Sequence, residues 1–186
     1  MIGPGFDSVL FAARRGDEAA FAALWRDTNP ALLRYLRVIA PTGAEDVASE
    51  VWLEVAVGLG RFTGTEAGFR AWVFTVARQR AVDAARYAAR RPAQPVPVEV
   101  LAECVGPDDP ASTALEALST RDALALVAEL PRDQAEVVVL RVIAGLDVAR
   151  VAEIMGKRPG TVRVLAHRGL QRLAQRMGQR SDRAEV

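Results

Sequence analysis

Between Arg91 and Ser112 the chain reads RPAQPVPVEVLAECVGPDDPAS, and five of the protein's ten prolines fall there. Each proline removes a backbone donor and pushes the residue before it toward extended conformations. A regular helix is therefore not expected in this stretch. It also holds four acids and no aromatic side chain, so it has little to bury and reads as an extended acidic linker. A chain of 186 residues divided at this point gives two small folding units, residues 1–91 and 113–178. Residues 92–112 are the linker and 179–186 a short tail.

On either side of the linker the apolar residues recur at helical spacing, and no alternating run of strand type occurs. The expected helices before the linker run from about Ser8 to Asp27, from Asn29-Pro30 through Ile39, from Ala44 to Leu59, and from Glu66 to Arg90. Asn-Pro is an entry signal, because proline tolerates the first helical position. After the linker, Ser119-Thr120-Arg121-Asp122 fits a capping box for a helix to about Leu130. Pro131 opens a helix through Ile143 with Gly145 as its C-cap. Val148–Met155 is a short helix closed by Gly156, and Pro159 starts a last one to about Met177. The fold class is all-α: two helical domains joined by an extended linker.

A net charge of +1 conceals strong segregation. Residues 1–69 carry −3, 70–91 carry +5, 92–131 carry −6 and 132–186 carry +5. Two basic blocks separated by an acidic stretch are two candidate polyanion-binding surfaces. One cysteine, Cys104, excludes an internal disulfide and a multi-cysteine zinc site, and a single histidine, His167, speaks against a His-based metal cage or a Ser-His-Asp triad. No cofactor or metal is expected, and an enzyme is not expected either. No apolar run reaches the roughly 18 residues a membrane span needs, and no secretory signal is visible. A cytoplasmic protein without membrane insertion is the expectation.

The stretch GLDVARVAEIMGKRPGTVRVLAHRGLQRLAQRM has helix-turn-helix grammar. Val148, Val151, Ala152 and Met155 form one apolar face, Gly156 permits a sharp turn, and Val162, Ala166, Gly169 and Leu173 line the second helix. Its outer face carries Arg158, Thr161, Arg163, His167, Arg168 and Arg172. Donors near the start of such a helix suit base edges and the arginines suit phosphates. A solvated basic face on an ordinary helical hairpin is the competing reading.

In AGFRAWVFTVARQRAVDAARYAARR, Phe69, Trp72 and Phe74 lie next to Arg70, Arg78, Arg80, Arg86, Arg90 and Arg91. That mixture suits single-stranded nucleic acid, where bases stack on rings and cations meet the backbone. An aromatic stripe at helical spacing is usually core. Extending the stripe forward reaches Arg80 and Asp83, so the buried face must end there or hold an ion pair.

Over residues 6–177 the chain resembles the extracytoplasmic-function sigma factors, the two-domain bacterial initiation factors of RNA polymerase. FAALWRDTNPALLRYL is similar to the opening of their first domain, AEDVASEVWLEV to the polymerase-docking segment, and FRAWVFTVARQRAVDAARYAARR to the promoter-melting helix. LPRDQAEVVVLRVIAGLDVARVAEIMGKRPGTVRVLAHRGLQRL is similar to the domain that reads the upstream promoter element. The resemblance implies that Asp46, Val47, Glu50, Val51 and Glu54 bind core RNA polymerase, at the clamp of its beta-prime subunit. The second domain would meet the flap of the beta subunit. It implies that the loop Arg61-Phe62-Thr63-Gly64-Thr65-Glu66-Ala67-Gly68 captures a flipped base of the downstream element. Trp72, Arg78, Arg80 and Arg86 would line the melted strand, and Arg163 would read duplex promoter DNA upstream. The acidic linker would run through polymerase channels built for nucleic acid.

Some positions depart from the family pattern. Ser49 and Gln79 stand where glutamine and asparagine are usual, and Arg158 replaces a Ser or Thr N-cap. Val164 and Leu165 replace polar residues, and would meet thymine methyls or a protein partner. A linker of this kind imposes no fixed geometry, so the free protein is expected to tumble as two loosely coupled bodies, cut first between Arg91 and Ser112. An anti-sigma factor that clamps the domains together is the expected regulator. The alternative function is a stand-alone helix-turn-helix regulator whose N-terminal domain senses a ligand or dimerises.

Overall fold

The computed structural model describes residues 1–90 and 122–184. The linker, Cys104 and the Ser119–Arg121 part of the expected capping box lie outside the described residues. Among those described, no strand occurs.

A 3₁₀ turn at Gly3–Gly5 leads into α1 (Phe6–Arg14), then α2 (Glu18–Ile39), α3 (Ala44–Gly58) and α4 (Glu66–Arg90). The expected Ser8–Asp27 helix is two helices. Gly16 takes φ +89° between them, and the Asp17 carboxylate accepts the Ala20 N–H at 2.9 Å to cap α2. The break at Asn29-Pro30 is also absent, because Pro30 lies inside α2. An interior proline costs one backbone hydrogen bond and about 3 kcal/mol, and here tertiary packing outweighs it. Thr28 and Asn29 are buried, and Asn29 Oδ1 accepts the indole N–H of Trp52 on α3 at 2.9 Å. Leu24, Leu32, Leu36, Val51, Val55, Phe69, Val73 and Phe74 fill the space between α2, α3 and α4. Each such side chain contributes roughly 1.5–3 kcal/mol on full burial.

The second unit holds α5 (122–128), α6 (Arg132–Val138), α7 (Val148–Met155) and α8 (Pro159–Ala184). The helix expected from Pro131 through Ile143 is α-helical only to Val138 and then widens into a π-turn, Val139–Ile143. The Ala144 N–H reaches back to the Val139 carbonyl at 3.0 Å, and Gly145 at φ +66° ends the element. α8 crosses α6 at Gly169, where an added Cβ would lie 2.8 Å from Val138 Cγ2.

The two units do not stand apart. α2 packs on α6 and the π-turn, and α4 packs on α7. The Tyr35 hydroxyl donates to Glu136 Oε1 at 3.0 Å, and Arg78 Nε donates to the same oxygen at 2.8 Å. Arg70 Nη1 donates to Asp27 Oδ2 at 2.9 Å, and its Nε to the Ala144 carbonyl at 3.3 Å. The expectation of loosely coupled bodies is corrected by these contacts. Composition announced the linker, but the surfaces that meet are spread over four helices.

Replacing Gly169 with valine should cost the second unit about 1–3 kcal/mol by overpacking, read as a lower urea midpoint. Burial, reinforced by the Glu136 carboxylate, raises the Tyr35 phenol well above its ordinary 10.0. The unfolded chain then holds fewer protons above that value, so this stability is whole below pH 10.0 and declines as pH rises toward the folded pKa. Tyr35→Phe should flatten the alkaline decline in urea midpoint.

Candidate nucleic-acid interface

The recognition helix is built by its neighbours. Asp147 caps α7 by accepting the Arg150 N–H at 2.8 Å. Gly156 then takes φ +62°, a left-handed conformation suited to glycine. The chain re-enters α8 with the Arg158 carbonyl accepting the Val162 N–H at 3.1 Å. Val162 is fully buried, which fixes the rotation of the helix. Arg158, Thr161, Arg163, Val164, His167, Arg168 and Arg172 are all exposed. Arg158, Arg163 and Arg168 make no ion pair or hydrogen bond among the described residues. Arg172 is anchored instead, donating to Gln134 Oε1 at 3.0 Å. Leu165 packs against the core, so of the two unusual apolar residues only Val164 faces solvent, at 48% exposure.

The aromatic stretch divides. Phe69 and Phe74 are core residues, as helical spacing usually implies. Phe62 and Trp72 stay half-buried and stack, with centroids 5.2 Å apart and planes 11° from parallel. Phe69 meets Phe62 edge-on at 5.7 Å and supports the stack from below. Gly58 must be small here, since a Cβ would sit 2.8 Å from Trp72 Cζ2. The stack walls one side of the loop from Arg61 to Gly68, whose Arg61 and Thr63 are exposed.

The arginines expected along a melted strand each have a carboxylate already. Arg78 is held by Glu136. Arg80 reaches Glu54 Oε2 through Nε at 2.8 Å and Nη2 at 2.5 Å, so the stripe that runs up to Arg80 ends in an ion pair between α4 and α3. This hydrogen bond, with the Glu54 charge, raises the Arg80 pKa further. Arg86 pairs loosely with Asp83, at 3.5 Å in the open. Glu50, Arg80, Asp83, Arg86, Tyr87 and Arg90 line an open groove of about 520 Å³ between α3 and α4.

On α3, Asp46 and Glu50 are exposed and Glu54 is half-exposed. Val47 and Val51 are not available to a partner. Both are buried against the N-terminal core, and their place in a docking surface is corrected accordingly. The apolar part of that face is Leu53, 69% exposed, and Val57, 87% exposed. Positions 46, 50, 53, 54 and 57 share one side of a helix. These two residues fall off the Val47–Val51–Val55 stripe, which was the signal in the sequence that could have found them. Glu45, in the first turn, has its carboxyl held below the ordinary 4.5 by a hydrogen bond from Arg37.

Residues 24–91 match the Sigma-70 region 2 family and residues 112–173 match Sigma-70 region 4. The chain is 35% identical over 180 residues to the ECF RNA polymerase sigma factor SigD of Mycobacterium tuberculosis, covering 93% of this chain and 84% of SigD. It is 36% identical over 177 residues to ShbA of Streptomyces griseus, covering 89% of this chain and 92% of ShbA. Two solved structures share the fold. CnrH in complex with the cytosolic domain of CnrY aligns with TM-score 0.61 at 20% identity, over 92% of this chain and 96% of CnrH. RpoE of Bartonella quintana in complex with the anti-sigma factor NepR aligns with TM-score 0.62 at 21% identity, over 83% of this chain and 94% of RpoE. The region 2 match displaces the reading of the N-terminal unit as a sensing domain. With both regions present in order and relatives matched over 84% and 92% of their length, the chain belongs to the extracytoplasmic-function family of RNA polymerase sigma factors.

Proposed function

We propose that three surfaces divide the work of promoter-specific initiation in this sigma factor. The α3 face formed by Asp46, Glu50, Leu53, Glu54 and Val57 docks on core polymerase. Acids around an apolar centre complement a basic, partly apolar partner helix, steering by charge and holding by burial. The loop from Arg61, with the Phe62–Trp72 stack, takes an unstacked base of the downstream element, and Arg78, Arg80 and Arg86 follow the separated strand. The exposed face of α8 enters the major groove of the upstream element. The observation that carries this reading is the trio Arg158, Arg163 and Arg168, exposed around a helix whose rotation is locked by buried Val162. Guanidinium groups without a partner among the described residues, Arg158 and Arg163 near the start of the helix and Arg168 farther along it, suit guanine edges and phosphates.

The protein has no reaction of its own in this reading. It supplies recognition, and the nucleotidyl transfer belongs to the polymerase in the cytoplasm. No helix among the described residues is long and apolar enough to cross a membrane. A protein inhibitor that covers the α3 face or Val164 on α8 is the regulator, and the structural neighbour RpoE is itself in complex with an anti-sigma factor.

Arg163→Ala should weaken the upstream element's contribution by about 1–3 kcal/mol if the side chain reads a base, whereas loss of a phosphate contact lowers affinity evenly across sequences. Transcription from wild-type and point-mutated promoters separates the two. An equal loss on every promoter removes the base-reading role. Asp46→Lys with Glu50→Lys should abolish holoenzyme formation in a core-polymerase pull-down while leaving the helical circular-dichroism spectrum unchanged. Retained binding would take α3 out of the interface.

A further inference from the structure

Glu136 is a carboxylate at 3% exposure in α6, and its side-chain partners, Tyr35 and Arg78, both belong to the N-terminal unit. Among the described residues no side chain of its own unit pairs with it. A buried ion pair roughly breaks even against apolar packing, so this one adds little stability and instead fixes how two surfaces meet. The rest of the seam is built in the same manner. Arg70 joins Asp27 to the Ala144 carbonyl at the end of the π-turn. Where the C-terminal end of α2 meets the second unit, Val38, Ile39, Ala128, Leu130, Arg132 and Ala135 leave an open notch of about 210 Å³. Charged contacts beside an incompletely filled apolar seam characterise a surface that can part.

The cation held there is one of the three α4 arginines assigned to the separated DNA strand. Arg78 is a third exposed and presents Nε to Glu136 Oε1. A guanidinium donates to a carboxylate or a phosphate in the same way. We propose that the packed arrangement is a self-inhibited state in which Glu136 occupies Arg78 in place of a strand phosphate, so that engaging single-stranded DNA requires the seam to open. Because competitor and target share one chain, the competition is independent of protein concentration. Tyr35 holds the second lobe of the contact, donating to the same oxygen and orienting the carboxylate toward α4. The inference rests on the reading of α4 as the strand-binding helix.

Glu136→Gln in the full chain tests it, because the amide keeps the shape and still accepts from Tyr35. Small-angle scattering should show a larger radius of gyration for this variant. A fluorescein-labelled oligothymidine strand, titrated without polymerase, should bind it about 5- to 10-fold more tightly than wild type, and adding Arg78→Ala should erase that gain. Tyr35→Phe, which preserves volume in the core, should move both readouts the same way by less, and circular-dichroism melting checks that each variant is folded. An unchanged radius and affinity in Glu136→Gln overturns the proposal. An opened chain with no gain in strand binding overturns the masking of Arg78. Promoter-directed transcription by wild-type holoenzyme is scored in parallel. Its absence would instead sink the reading of α4, whereas its presence beside a silent Glu136→Gln condemns the latch alone.

Discussion

An arginine cannot shed its charge inside a protein, and this constraint sets the arrangement of both units around α4. Arg70 on that helix is largely withdrawn from water, Arg78 and Arg80 only partly, and each is met by a carboxylate from a different element. Arg70 takes Asp27 on α2, Arg78 takes Glu136 on α6, and Arg80 takes Glu54 on α3. A buried charge without a partner costs far more than the pairing returns. The observed rotation of α4 presents Phe69, Val73 and Phe74 to the core while giving each arginine its acid. Hydrophobic burial drives the association of the helices, and the arginines decide which association is allowed.

Much of the architecture could be read from periodicity and punctuation. The bounds of α3, α4 and α7 agree with their apolar spacing and with the left-handed glycine after Met155. The failures have physical causes. Pro30 reads as a helix start because proline is poor inside one, yet the indole of Trp52, distant in sequence, stabilises Asn29 inside the helix. The π-turn at Val139–Ile143 leaves no mark in composition, since it depends on which carbonyl the Ala144 N–H reaches. Exposed functional faces were legible where charge coincided with periodicity, as on α8. They were illegible where a charge answers another charge far along the chain, as Glu136 answers Arg78.

Helix α3 carries the sharpest division of labour. Val47, Val51 and Val55 are spent on the core, while Leu53 and Val57 remain in water. Valines in both sets look alike in sequence, and only the angle between them around the helix separates structure from contact. The same holds on α8, where adjacent Val164 and Leu165 part company because Val162 fixes which way the helix faces.

The half-open setting of Arg78 bears on how salt acts. Its pair with Glu136 stands partly in solvent, so added electrolyte screens and weakens it. Electrolyte also weakens any grip on phosphates, because releasing counterions into a saltier solution gains less entropy. For an ordinary cationic surface only the second effect operates. Here the cation must first leave an internal anion, so rising ionic strength eases departure while discouraging arrival. The two tendencies oppose, and the dependence of strand binding on salt should be shallower than the count of arginines along α4 implies.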